Sequence, residues 1–354
     1  MSIPSRPRVG VIGAGYWGSK HVRVLCSLET VGSVVAIDSV DDRLRGLVRS
    51  FPSVRTFSRL RDALPDLDAL VVATPPTTHH LIALEAIAAG KHVLVEKPLA
   101  TSVVAAQRLV AQAERAGVVL MVGHTFEYNA AVWKLRDLVQ SGELGHVYYI
   151  DTARLNLGLY QTDVNVIWDL APHDVSIVNL LLGRKPSTVQ AWASRHAHHR
   201  LEDVAYLRLA YEALDVQANI HVSWLDPCKV RRVTVVGSKK MAVYNDLAAE
   251  ERIRIHDKGV SCPLDAHDLT QPPTSYRYGD IIVPFVPAQE PLAVEDQHFI
   301  ESVVTGSVPR TDGENGAAVV EVLECAQRSL ATGDPVRLSD APGAAWLTDA
   351  FDAV

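Results

Sequence analysis

The chain has 354 residues, 48% of them hydrophobic and 21% charged, with a formal net charge of -7. That length exceeds one ordinary core and suits two domains, and the composition is that of a soluble globular protein. An acidic balance without a basic block excludes nucleic acid and anionic membrane as principal partners.

No apolar run reaches bilayer-spanning length, and Met1 to Pro7 lacks an export core. Cys26, Cys228, Cys262 and Cys325 lie far apart with no Cys-x-x-Cys pair. This pattern points to reduced thiols in a cytoplasm, with neither a disulfide framework nor a zinc site.

The first element is the stretch Arg8 to Gly18, a β-branched run that breaks into Gly13-Ala14-Gly15-Tyr16-Trp17-Gly18 and then a helical pattern. It reads as strand, tight turn and helix start. Gly13 makes the turn, Gly15 lets backbone N–H groups approach a pyrophosphate, and Gly18 lets the helix pack against the strand. The helix N-terminus then faces the phosphates with its positive end. A lone glycine motif is weak, so context decides. The next strand, Val34 to Asp38, ends in an acid about twenty residues beyond Gly18, where the ribose hydroxyls of a dinucleotide lie.

A helix is expected from Trp17 to Leu28, another from Asp41, a third strand at Val54 to Thr56 and a fourth at Asp68 to Ala73, stopped by Thr74-Pro75-Pro76. The unbroken apolar character of that fourth strand marks burial on both faces of a parallel sheet. A helix from Thr77 with Gly90 as its C-cap, a strand His92 to Glu96, a helix Ser102 to Ala116 and a strand Val118 to Val122 complete the alternation. Alternation of this kind implies a doubly wound α/β sheet, here assigned to residues 1–123.

After Gly123 a helix is expected at Asn129 to Ser141, then longer strands at Val147 to Arg154, Ser187 to Ala197, Val204 to Tyr211 and Val216 to Trp224. In the last, apolar Val216, Ala218, Ile220, Val222 and Trp224 alternate with polar residues, the mark of a half-buried antiparallel strand. Residues 124–354 are therefore expected to form an α+β domain with a large, mostly antiparallel open sheet. The residues from Leu247 to Gln289 read as loops. Helices near Ala293 to Thr305 and Gly313 to Thr332 are expected to cover part of the sheet.

Ligands of a doubly wound sheet sit beyond the carboxyl ends of its strands. Glu96-Lys97-Pro98 occupies such an end, where a lysine can bond a substrate hydroxyl and assist its proton. By itself a solvated turn lysine is the commoner reading. Within Val166 to Asp174, Asp169 and His173 share one helix face at i, i+4, with Asp169 the expected cap and Pro172 in the first turn. There the helix's positive end favours a neutral, basic imidazole and the carboxylate opposes it. Read alone, the segment is more readily a cap and a satisfied surface histidine. Arg195-His196-Ala197-His198-His199-Arg200 lacks a ligand set at metal spacing and reads as a polar loop, so no metal is expected.

Together these places carry a resemblance. The ordered set Gly13 to Gly18, Ala73-Thr74-Pro75-Pro76 with His79, Glu96-Lys97-Pro98, Asp169 with His173, and the stretch Glu290 to Glu301 with Gly306 and Pro309 is similar to the glucose-fructose oxidoreductase, inositol dehydrogenase and rhizopine catabolism (Gfo/Idh/MocA) family. The resemblance implies a catalytic group of Lys97, Asp169 and His173, a cis Lys97–Pro98 bond, and preference for NAD through Asp38. It also implies cofactor contacts from Gly13, Gly15, Tyr16, Trp17, Gly18, Thr74, Pro75, His79, Glu96 and Lys97. Homodimers or homotetramers are implied through the open sheet. Ala171 departs from the glycine common in the family's Asp-x-Gly-x-His motif.

The segments Gly123 to Asn129, Arg154 to Gly158, Asn165 to Asp174 and Tyr276 to Asp280 resemble a branch acting on nucleotide-activated sugars. That resemblance implies oxidation at C3 of a nucleotide-linked hexose, with Arg154, Asn156, Asn165, Trp168, Asp169 and His173 at the substrate. Arg195, Arg200 and Arg277 are further candidate cations for the diphosphate. The alternatives are a dehydrogenase of a free cyclitol or sugar and, in another class, a non-catalytic dinucleotide-binding regulator.

Overall fold

A computed structural model describes residues 4–158, 161–197, 199–261 and 275–339. It divides into two compact units, one made of residues up to Tyr128 with Gln289–Glu324, the other of Asn129–Ala288 with the residues from Cys325.

The first unit opens with β1 (Arg8–Ile12), α1 (Tyr16–Ser27), β2 (Ser33–Ile37), α2 (Asp41–Ser50), β3 (Arg55–Phe57) and the single-turn α3 (Leu60–Ala63). It continues with β4 (Ala69–Val72), α4 (Pro76–Ala88), β5 (His92–Glu96), α5 (Val103–Ala116) and β6 (Leu120–Gly123). The strands form a six-stranded sheet in the order β3-β2-β1-β4-β5-β6, parallel throughout. Every residue of β4 and β5 is buried, which is why both read as continuous apolar runs. The order reverses beside β1, so the crevice between the ends of β1 and β4 is the ligand position of a doubly wound fold.

The second unit starts with α6 (Ala130–Gln140), β7 (Val147–Leu157) and α7 (Val166–Leu182). Then come β8 (Thr188–Ser194), β9 (Val204–Tyr211), β10 (Val216–Ser223), β11 (Leu225–Gly237), β12 (Met241–Asn245), β13 (Ile253–Ser261) and β14 (Ser275–Ile282). The last elements among the described residues are α8 (Pro291–Thr305), α9 (Gly313–Thr332) and β15 (Val336–Arg337). The nine-stranded sheet runs β14-β13-β12-β11-β7-β10-β9-β8-β15 and is antiparallel except between β7 and β10. Helix α7 packs on β7, β9 and β10.

Three departures from the sequence reading have physical causes. The expected loop between Leu247 and Gln289 contains β13 and β14; β13 buries only Ile253 and Ile255, and Tyr276, Tyr278 and Ile281 of β14 are exposed, so the period is too short to read. Cys262, Pro263, Pro272 and Pro273 lie outside the described residues.

Helix α8, expected on the second sheet, packs instead on α1. Phe299, Ile300 and Val303 join Val22 and Leu25 in the core of the first unit. The first unit thus takes in residues 124–128 and 289–324, which the sequence reading had placed beyond its boundary.

The start of α7 is the third. Asn165, not Asp169, is its cap, with the side-chain oxygen accepting the Trp168 N–H at 3.2 Å. Pro172 therefore lies past the first turn, where it removes the N–H that would bond the carbonyl of Trp168. His173 is one turn deeper than expected, and the pull of the helix's positive end on it is correspondingly weaker.

Candidate functional site

In the first unit the candidate residues gather at the carboxyl ends of β1, β4, β5 and β6. Gly13 has φ +95°, and a Cβ there would meet the Ala73 carbonyl oxygen at 2.5 Å, so β1 and β4 close on each other only through glycine. A Cβ on Gly18 would fall 1.7 Å from the Gly13 oxygen, whereas one on Gly15 would meet nothing within 4 Å. Gly15 is thus open on the side that a phosphate approaches, and it caps α1 with no side chain of its own over the helix N-terminus. Tyr16 and Trp17 follow at 65% and 39% exposure, their rings edge to face at 5.4 Å.

Asp38 stands at the end of β2 and is 6% exposed. Its Oδ2 accepts the Ala14 N–H at 2.7 Å and its Oδ1 accepts the Val40 N–H at 2.8 Å, which ties the glycine turn to the second strand. Arg43 donates to the same Oδ2 at 3.4 Å. An open glycine cradle, a helix N-terminus and an acid at the end of β2 fit an NAD with its pyrophosphate on α1 and its ribose toward Asp38.

The Lys97–Pro98 peptide is cis, as the resemblance implied. His79, expected at the cofactor, is 1% exposed, with Nδ1 2.8 Å from the Pro98 oxygen and Nε2 2.8 Å from the Thr74 oxygen. It joins the two loops that follow β4 and β5. Burial holds its pKa below the usual histidine range. Thr74 Oγ1 accepts from Thr78 Oγ1, which also reaches the Pro75 carbonyl and fixes the start of α4.

Glu96 is also buried. Its Oε2 accepts the Lys97 N–H at 3.1 Å and its Oε1 lies 3.1 Å from His21 Nε2. Sequence reasoning missed His21 and its second partner, Asp296. The only trace was a histidine among the apolar positions of α1.

In the second unit α7 carries Asp169 and His173 one turn apart on a half-buried face. Trp224, fully buried after β10, donates its indole N–H to Asp169 Oδ2 at 3.0 Å and so fixes that carboxylate. Asn156 on β7 and the same indole both border Gly158, where a Cβ would meet Asn156 Nδ2 at 2.8 Å and Trp224 Cδ1 at 2.9 Å. Trp168 is buried in the first turn of α7.

Asn165 has its amide engaged on three sides. Besides capping α7, Nδ2 donates to Glu202 at 2.8 Å and to Gln327 at 3.0 Å. Arg154 is 4% exposed, and its Nε donates to Asp174 Oδ2 at 2.7 Å. Burial raises the Asp174 pKa, and Arg154 works against that rise.

Of the other candidate cations, Arg195 pairs with Glu202 at 3.0 Å and Arg277 with Asp257 at 3.1 Å. In the histidine loop, His196 Nε2 lies 2.8 Å from Ser194 Oγ, and His198 is outside the described residues.

Residues 7–124 match the model of the oxidoreductase family with an NAD-binding Rossmann fold, and residues 132–243 match the GFO/IDH/MocA C-terminal domain. This chain belongs to the Gfo/Idh/MocA oxidoreductase family. Residues 7–124 are the family's NAD-binding Rossmann domain.

An inositol 2-dehydrogenase of Klebsiella pneumoniae is 32% identical over 349 residues, covering 94% of this chain and 96% of that one. A UDP-N-acetylglucosamine 3-dehydrogenase of Acidithiobacillus ferrooxidans is 26% identical, covering 88% and 94%. The structure of GenD2 from gentamicin A biosynthesis, in complex with NAD, superposes with a TM-score of 0.80 at 26% identity, covering 96% and 98%. Two further curated relatives align over only 57% and 63% of their own length. No described helix is long and apolar enough to cross a membrane.

Proposed function

We propose that this chain is an NAD-dependent dehydrogenase acting on a secondary hydroxyl of an uncharged ring polyol, a free cyclitol or an unactivated sugar. The observation that carries the choice is the Arg154–Asp174 pair. The cation put forward for a sugar-linked diphosphate is already neutralised by a buried carboxylate at 2.7 Å. Arg195 and Arg277 have carboxylate partners as well. A diphosphate needs cations or backbone donors to replace its hydration, whereas a neutral polyol needs only matched hydrogen bonds. The full-length likeness to an inositol 2-dehydrogenase supports the same reading.

When bound, NAD supplies the hydride acceptor. In the proposed roles Lys97 holds the substrate oxygen and stabilises negative charge growing on it. His173 accepts the hydroxyl proton, and Asp169, held by Trp224, orients the histidine or the substrate. The first unit is read as the cofactor domain and the second as the substrate and self-association domain. Trp192 and Tyr206, about half exposed on neighbouring strands at 58% and 47%, support a homodimer or homotetramer through this sheet. The thiols of Cys26 and Cys228, both exposed and reduced, support a cytoplasmic enzyme. Retention of Lys97, Asp169 and His173 together speaks against a non-catalytic regulator.

Oxidation at C3 of a nucleotide-linked hexose is the second reading. The UDP-N-acetylglucosamine 3-dehydrogenase that aligns along most of this chain favours it.

A panel monitored for NADH formation tests the choice, with myo- and scyllo-inositol, an inosamine and free aldoses on one side and UDP- and dTDP-hexoses on the other. Turnover of a free polyol is expected. Turnover of the nucleotide sugars alone would reverse the assignment.

A further inference from the structure

Behind the Lys97 turn lies a set of buried ionisable groups that the proposed chemistry does not use. Helix α1 places His21 at 0% exposure, with Nε2 3.1 Å from Glu96 Oε1 and Nδ1 2.8 Å from Asp296 Oδ1 on α8. The other oxygen of Glu96 accepts the Lys97 N–H at 3.1 Å. A continuous line of bonds thus runs from α8 through α1 to the backbone of Lys97. We propose that His21, Glu96 and Asp296 form a buried clamp that positions Lys97, with a doubly protonated His21 as its centre.

The argument is one of donors and acceptors. An ionised carboxylate only accepts, and a neutral imidazole carries a single N–H, so only the imidazolium donates to both partners. Burial opposes that charge, but the two carboxylates outweigh it and hold His21 well above the usual histidine range. Burial also raises Asp296, whereas Glu96 is kept low, against its own burial, by the bond from His21. The proton shared between His21 and Asp296 belongs on His21 because a second carboxylate faces its other nitrogen.

The surrounding charges agree with this assignment. From α8, burial pushes Glu295 well toward its protonated form, and Thr125 donates to it at 2.8 Å, while Glu290 is taken up by Arg23. From the ends of β5 and β6, Lys97 and His124 face Glu96, with the His124 pKa lowered to about 3 by burial, so that it stays neutral. His79 on α4 faces Glu96 too and is likewise pushed toward neutrality by burial; between two carbonyls rather than two carboxylates, the neutral ring donates to only one of Pro98 and Thr74. One cation between two anions is the arrangement that leaves Glu96 free to accept from Lys97. Losing the central cation would leave two buried carboxylates facing each other, and one of them would take up a proton.

The effect of the clamp on turnover rests on the role proposed for Lys97, but its protonation and its grip on the backbone do not. The full-length protein with NAD, labelled with ¹⁵N-histidine, is expected to show at about pH 8.5 one imidazolium with both nitrogens protonated, well above the ordinary histidine pKa of about 6.5. That signal should vanish in His21→Gln. In Asp296→Asn, amide hydrogen exchange at Lys97 should speed up about tenfold or more, while NAD affinity stays within about threefold of wild type. With myo-inositol as probe, Asp296→Asn should lower kcat about tenfold alone and add little in a Lys97→Ala background, because both changes act through one group.

Absence of any imidazolium at that pH in the wild type would overturn the clamp, even if no variant folds. Unchanged Lys97 exchange in Asp296→Asn, or a loss that adds fully to that of Lys97→Ala, would overturn it too. A wild type that leaves myo-inositol untouched counts against the substrate reading, and the spectra and exchange rates then decide the clamp.

Discussion

The carbonyl oxygen of Gly13 stands 1.7 Å from where a Cβ on Gly18 would be, so these two glycines set how closely α1 begins against the end of β1. Gly18→Ala must therefore push backbone against backbone. It is expected to lower stability by about 1–3 kcal/mol or more, read as a fall in Tm. Gly15→Ala meets nothing within 4 Å and should leave Tm nearly unchanged. Its methyl group would instead stand where backbone has to approach the pyrophosphate, raising the Kd for NADH about tenfold or more. Equal effects of the two substitutions on Tm would contradict this division of roles.

Asp38 both braces the glycine turn and engages Arg43, whose side chain is 56% exposed. In Asp38→Ser the carboxylate that would repel a 2′-phosphate is gone and Arg43 is released toward it. The ratio of NADPH to NADH affinity is expected to rise by about 10²-fold, measured by fluorescence titration of both cofactors. An unchanged ratio would remove Asp38 from cofactor discrimination.

Arg154 and Asp174 are 4% and 1% exposed, so removing either partner strands a charge in the core. Arg154→Met alone, or Asp174→Leu alone, is expected to cost about 3–5 kcal/mol in denaturant unfolding. The double variant should recover much of that loss, because an apolar pair of similar volume carries no desolvation penalty. Were Arg154 a phosphate ligand first, Arg154→Met would weaken nucleotide-sugar binding with little effect on stability.

Lys97→Ala and His173→Ala are each expected to lower turnover by about 10²-fold or more with NAD affinity nearly intact, as when positioned proton-transfer groups are removed. Steady-state rates beside calorimetric NAD titration check both. Near wild-type turnover in either variant would withdraw that residue's role.

What the sequence determined by itself was set by neighbours along the chain. Gly18 is dictated by sterics within the turn, where its Cβ would strike the Gly13 oxygen, and the continuous burial of β4 and β5 is written in their apolar runs. The place of Lys97 at a carboxyl strand end follows from counting those strands. The i, i+4 spacing of Asp169 and His173 was legible in the same way, because helix geometry fixes it.

Tertiary structure decided the rest, since those outcomes depend on partners far away in the chain. Asn165 rather than Asp169 caps α7, and its amide is shared with Glu202 and Gln327. Helix α8 goes to α1 because its apolar face matches Val22 and Leu25, and nothing local to residues 291–305 names that partner. Strand β14 exposes Tyr276, Tyr278 and Ile281, and β13 buries only the pair Ile253 and Ile255, too short an alternation to read. Arg154 looks like a free cation in sequence and is neutral as a pair in the fold, because only packing of α7 on β7 puts Asp174 against it. His21 follows the same rule: its partners lie 75 and 275 residues away, so its charge is a property of the packed core and not of the helix that carries it.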